Sequence, residues 1–273
     1  MAGEVNTRAY YNENDPFAAA WLRNLITENL IASGDVDERS IVDVKADDLR
    51  GYTQCHFFAG IGGWSYALRL AGWPDDRPVW TGSCPCQPFS VASVGHGGAK
   101  GQCDERHLWP EFHRLIRKRR PQHVIGEQVD DAIGWGWWDS AALDLEDEGY
   151  ACAAQVLRAD AAGGTHQRKR LYWVADSSGA GWQGYKQRDC ISLREEETFT
   201  VNGNALVRAK RALAGDYIDL LPGDGVPVAV ERLRAKGYGN AIVPQVAAEF
   251  IKAVMDCIPM IDTSRSPLSE AVE

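Results

Sequence analysis

The chain has 273 residues, of which 45% are hydrophobic and 25% charged, and a formal net charge of -9. This balance excludes collagen-like and disordered classes, and no apolar run approaches the roughly 20 residues of a membrane span. The acidic total argues against coating nucleic acid through bulk charge but leaves room for a local basic cleft, and the length suits one catalytic core with a small accessory lobe.

Seven scattered cysteines, an odd number, do not suit a disulfide framework, so reduced thiols are expected. The start, Met1 to Arg8, lacks the basic segment and apolar stretch of a secretory signal, which predicts a cytoplasmic protein.

Near the N-terminus, Ala9 to Leu22 reads as a short strand, an acid and a helix, either part of the core or an unrelated helical extension. His56 to Gly63 is an apolar strand entering a glycine-rich turn, Phe58-Ala59-Gly60-Ile61-Gly62-Gly63, and Trp64 to Ala71 follows with helical spacing. Such a turn lets backbone approach a ligand without a Cβ in the way, although in isolation it serves helix-on-strand packing equally well.

Val79 to Thr81 is a second strand, and it leads into the irregular loop Gly82-Ser83-Cys84-Pro85-Cys86-Gln87-Pro88. A single cysteine is usually a small buried hydrophobe, and a zinc pair here would lack its partner knuckle. A thiol held between prolines at a strand end can be aimed, however, which singles out Cys86 as a nucleophile. The glycine-rich stretch 91–101, followed by Asp104, Glu105 and Arg106, reads as a mobile loop over a substrate.

Arg114, Arg117, Lys118, Arg119 and Arg120 form a basic run before the strand His123 to Gly126, which ends in Glu127 and Gln128. The segment His166 to Arg170 enters another strand, Leu171 to Ala175, with Arg168 and Arg170 on one face. From Asp176 to about Pro227 the texture is polar and weakly periodic, an inserted lobe that carries a second basic group at Arg208, Lys210 and Arg211. Both basic groups are usually solvated faces but could line one cleft and bind phosphates. Val243 to Val254 is a helix with proline in its first turn, and the residues after Pro267 read as a frayed tail.

Taken in order, the glycine turn, Gly82 to Ser90, Glu127-Gln128-Val129, Gln167 to Tyr172 and Gly239 to Pro244 resemble the DNA (cytosine-5) methyltransferases from Cys55 to Ile251, apart from the lobe. The resemblance implies a doubly wound α/β sheet that binds S-adenosylmethionine, with a small inserted target-recognition lobe. By the same resemblance Cys86 is the nucleophile and Glu127 the acid facing the cytosine ring, while Arg168 and Arg170 hold the base or the cysteine loop. Phe58 to Gly63, Pro85, Asn240 and Ala241 are then cofactor contacts. One departure is His166, where the family usually has glutamine; another is His56, where it usually has an acid.

Two strand-helix units normally lie between the glycine turn and the cysteine loop, each of roughly 30 residues. Trp64 to Ser83 is too short for both. The resemblance therefore places them at residues 1–50, as a permuted order. Glu13 and Asn14 then stand in the ribose-binding motif, Ser40 where an aspartate usually meets adenine, and Ile41 where an apolar side chain packs on the ring.

The expected organisation is a catalytic core over 1–175, a recognition lobe over 176–227, and a return to the core over 228–273. The expected activity is methylation of carbon 5 of a flipped cytosine in double-stranded DNA, protecting it from a restriction nuclease, by a monomer that needs no metal. Methylation of RNA and a catalytically silent DNA-binding relative are the alternatives.

Overall fold

A computed structural model of the chain describes residues 8–85, 108–160, 168–177 and 241–257. Seven strands form one sheet: β1 (Ala9–Asn12), β2 (Gly34–Asp37), β3 (Gln54–Phe57), β4 (Val79–Gly82), β5 (His123–Val129), β6 (Ala151–Arg158) and β7 (Lys169–Asp176). Their order across the sheet is β2-β1-β3-β4-β5-β7-β6. The first five are mutually parallel, and β7 runs antiparallel to both β5 and β6.

This order carries the permutation expected from the sequence. A doubly wound sheet is normally made from its centre outward, first strand innermost. Here the innermost place belongs to the third strand made, β3, with β1 and then β2 outside it. Ser40 to Val44 lies in a turn just past β2.

Six helices accompany the sheet among the described residues: α1 (Pro16–Thr27), α2 (Gly63–Ala71), α3 (Trp109–Arg119), α4 (Asp131–Gly134), α5 (Trp137–Asp147) and α6 (Pro244–Cys257). Asp15 starts α1 by accepting from the backbone N–H groups of Phe17 and Ala18, with Pro16 placed where a missing N–H costs nothing. β6 and α5 are not legible in the sequence, because every residue of β6 is only half-buried and it contains three alanines, which have weak strand preference.

Both faces of the sheet are covered, as parallel strands require. Along β7 the period of two sends Trp173 to one face and Tyr172 and Val174 to the other. On the first face Trp173 packs with Phe57, Trp80, Trp109, Phe112 and Trp137; on the second, α2 and α6 cover Ile125, Tyr172 and Val174. Gly126 in β5 makes room for this, since a Cβ there would lie 2.3 Å from the Trp173 ring.

The N-terminal segment is fastened to the glycine-turn helix by a buried cluster. Tyr11 Oη donates to the Ala32 carbonyl at 2.6 Å and lies 3.0 Å from Ser65 Oγ, which also accepts from the Ala32 N–H. Removing only that hydroxyl, as in Tyr11→Phe, strands buried polar groups and should cost about 1–3 kcal/mol. Urea unfolding is expected to show a lower midpoint with an unchanged slope; an unaltered midpoint would mean the cluster does not secure β1.

Candidate active site

The site lies at the carboxyl ends of β1, β3, β4 and β5, where open α/β sheets place their ligands. On leaving β3, the chain turns through left-handed backbone at Phe58 (φ 52°), Gly60 (φ 55°) and Gly62 (φ 85°) before α2 begins. At Gly60 a Cβ would meet nothing within 4 Å, so the turn opens outward there.

Glu13, just past the end of β1, reaches this turn. Its Oε2 accepts the Gly60 N–H at 2.7 Å and its Oε1 the Asp15 N–H at 2.8 Å. Asn12, buried beside it, donates to the carbonyls of Asp37 and Arg39, which brings the segment entering Ser40 to the same place. The Ser40 Oγ accepts from the Val42 N–H, and Asn14 is exposed. From the other end of the chain, Ile242 packs against Gly63, with Ala241 next to it.

The structure thus brings Glu13, Ser40, the glycine turn and Ala241 to one end of the sheet. A carboxylate has about four acceptor positions, and Glu13 uses two on backbone amides, so acceptor capacity for a diol remains. With an open glycine turn beside it, that acceptor fits the ribose diol of a nucleoside cofactor. Ile41 is placed differently from the expectation. Its side chain is 3% exposed within the core, and Arg114 donates to its carbonyl, so little surface is left to pack on a ring.

His56, too, is turned into the interior. It is buried in β3, with Nδ1 2.8 Å from Thr81 Oγ1 and its ring stacked on Tyr11. Burial lowers its pKa to about 3, so it is neutral in the fold.

The acid end of the site is built on β5 and β7. Glu127 is 7% exposed, and its Oε1 lies 2.8 Å from Arg170 Nε. Burial raises its pKa above the ordinary carboxyl value; the charges of Arg170 and Arg168 and a hydrogen bond with Ser83 pull it back. Of the residues expected from sequence, Glu127 and Arg170 are paired, and the charge of Arg168 acts on Glu127. Ser83 and Trp64, whose Nε1 donates to Ser83 Oγ, were not anticipated, because a serine and a helical tryptophan give no local signal of a polar site.

The two cysteines of the loop differ in kind. Cys84 is buried in the core, and burial pushes its thiol well above the ordinary range, so it cannot supply a thiolate. Its carbonyl accepts from the buried Gln128 side chain, which anchors the stem of the loop. Pro85 follows, half-buried, while Cys86, Asn240, the stretch 91–106 and the residues of the lobe from 178 to 227 lie outside the described residues.

The first basic run does not line this site. Helix α3 ends at Arg119 just before β5 begins, so Arg117 to Arg120 lie at the opposite end of the sheet, roughly 13 Å of strand from Glu127. Arg114 is also occupied, donating to the carbonyls of Ile41 and Val44 and pairing with Glu111. Among the described residues no group of His, Cys, Asp and Glu is placed to hold a metal ion, and no helix is long and apolar enough to cross a membrane.

The carboxyl end of the parallel part of the sheet thus carries a glycine turn, a buried acid and the stem of the cysteine loop. The sequence profile of the C-5 cytosine-specific DNA methylases matches residues 73–211, just over half of the chain, and the chain belongs to that family. Members of the family use S-adenosylmethionine as the methyl donor.

No curated protein matches the sequence. Among solved structures, a Spodoptera frugiperda DNMT2 variant is 15% identical with a TM-score of 0.44, covering 66% of this chain and 45% of its own. The Entamoeba histolytica methyltransferase EhMeth is 13% identical with a TM-score of 0.42, covering 69% and 49%. A putative DNA modification methyltransferase encoded within an E. coli prophage is 16% identical with a TM-score of 0.34, covering 62% and 46%. The chain spans about half the length of these proteins.

The raised pKa of Glu127 has a consequence for stability. The folded state holds the carboxyl proton to higher pH than the unfolded state, whose pKa is near 4.5. That contribution is therefore full below pH 4.5 and is lost as pH rises through the folded pKa, at up to about 1.4 kcal/mol per pH unit. Glu127→Gln should remove this decline when urea unfolding is compared with wild type from pH 4.5 to 8. Parallel curves would place Glu127 in an ordinary solvated environment.

Proposed function

We propose that the chain is a site-specific DNA cytosine-5 methyltransferase. The observation that carries this reading is the buried Glu127, paired with Arg170 and next in its strand to Gln128, which holds the stem of the cysteine loop. Carbon 5 of cytosine is a weak nucleophile until a thiolate adds at carbon 6. Cys86 supplies that thiolate in this reading; Cys84, sealed in the core, does not compete.

Addition at carbon 6 drives electrons toward ring nitrogen 3. The Glu127 carboxyl donates a hydrogen bond or its proton there, a role favoured by burial, which keeps the group protonated to higher pH. Arg170 and Arg168 limit that rise. S-adenosylmethionine, held by Glu13, the glycine turn and Ala241, supplies the methyl group. The donor would leave as its neutral thioether; transfer of the carbon 5 proton to water and expulsion of Cys86 as the thiolate would then restore the ring.

A cytosine in a duplex cannot meet these groups, so the base must be flipped out of the stack; methyltransferases in general work this way. Residues 176–227 serve as the recognition lobe, and its small size suits a short target. Protection of DNA from a restriction nuclease is the proposed purpose.

Purified protein incubated with labelled methyl donor should label duplex DNA at cytosine and leave RNA unlabelled. Cys86→Ser should lower incorporation at least about a thousandfold, as loss of a covalent nucleophile does. Labelling of RNA alone would move the substrate assignment, and labelling of neither would remove the activity. Separately, Glu13→Ala should weaken S-adenosylmethionine binding roughly tenfold by calorimetry, the worth of one charge-assisted hydrogen bond. Unchanged affinity would take the N-terminal segment out of the cofactor site.

A further inference from the structure

The turn from Ser40 to Val44 is held from two sides. At its entry, the buried Asn12 side chain donates to the carbonyls of Asp37 at 3.3 Å and Arg39 at 2.8 Å, and the Glu13 N–H donates to the same Asp37 carbonyl at 3.0 Å. The approach to the turn is therefore tied to the strand end that carries Glu13. Within the turn, the Asp43 N–H donates to the Ser40 carbonyl at 2.9 Å, and Ile41 and Val44 bury their side chains on either side of the exposed Val42.

At its far end the turn is gripped by α3. Arg114 Nη2 donates to the Ile41 carbonyl at 3.2 Å and to the Val44 carbonyl at 3.0 Å, while its Nε donates to Glu111 Oε2 at 2.7 Å. A terminal guanidinium nitrogen carries two protons, so one planar group serves both carbonyls at once. Burial of Ile41 and Val44 is non-directional, and the guanidinium fixes which way the turn faces. On the same helix, Phe112 packs against Gly82 at the end of β4, so closely that a Cβ there would lie 2.6 Å from its ring. The cysteine loop starts at that glycine, so α3 touches the stem of the loop and the turn together.

We propose that Arg114 is a positioning residue for the methyl donor: through α3 it sets the turn Ser40 to Val44, at the adenine end of the cofactor site, against the stem of the cysteine loop. The proposal rests on the reading of Glu13 and Ser40 as the ribose and adenine sides of that site. Without the clamp the turn keeps its buried side chains and loses its orientation, so a bound donor has to supply the ordering.

The test measures binding of S-adenosylhomocysteine, the donor without its methyl group, to the full chain by calorimetry. Arg114→Lys keeps the charge and gives up the planar fork; Arg114→Ala removes both. Each should bind about tenfold more weakly than wild type, since the ligand must then order roughly one residue of the turn itself. Arg117→Ala, which removes an exposed arginine one turn further along α3, should bind like wild type. Wild-type affinity in Arg114→Lys would overturn the proposal, and this variant decides should Arg114→Ala fail to fold.

A second ligand separates positioning from general stability. An analogue with hydrogen in place of the adenine amino group should bind wild type more weakly than the parent, and that preference should shrink in Arg114→Lys. A merely structural role would lower the folded fraction and weaken both ligands alike. An unchanged preference, or none in wild type, would contradict the proposal. A wild type that binds neither ligand would remove the cofactor reading on which it rests. If wild type binds the donor and yet transfers no methyl group, the proposed function fails while the binding comparison still decides the role of Arg114.

Discussion

A carboxyl group removed from water at the end of a buried strand is the constraint around which the candidate site is built. Burial alone would neutralise Glu127, and two facing arginines alone would hold it ionised. The fold applies both, with β5 and β7 in direct register at Glu127 and Tyr172 so that Arg170 arrives alongside.

The permuted order shows which constraints of the sheet are physical and which are historical. What the site needs is that β1, β3 and β4 lie side by side and parallel, so that Glu13, the glycine turn and the cysteine loop emerge at one end. The order of synthesis is immaterial to that requirement. Tyr11, Ser65 and the Ala32 backbone make the join with hydrogen bonds that cross from the first strand to the glycine-turn helix. Glu13 makes a second join on the functional side.

Much of the site was legible because its residues sit in short, chemically unusual strings. Cys84-Pro85-Cys86, the glycine turn and the pair Arg168 and Arg170 stand out against any composition, and the shortness of Trp64 to Ser83 pointed to strands made elsewhere. What stayed hidden depends on contacts far apart in sequence. Ser83 receives the Trp64 indole from α2, and Ile41 is drawn into the core by packing that its own surroundings in sequence do not announce. The basic run ending at Arg120 looked like a phosphate contact until the direction of β5 put it at the opposite end of the sheet. β6 was invisible for a different reason, since half-buried alanines carry neither a helical nor an alternating pattern.

The most direct measurement is the mass of the protein after incubation with methyl donor and a duplex containing 5-fluorocytosine at its target. Fluorine at carbon 5 cannot leave as a proton does, so a sulfur bonded to carbon 6 stays there. The account predicts a denaturation-resistant adduct of protein, oligonucleotide and one methyl group, with the linked peptide containing Cys86. Absence of any adduct on a duplex that the enzyme methylates when unfluorinated, or linkage through another residue, would contradict it.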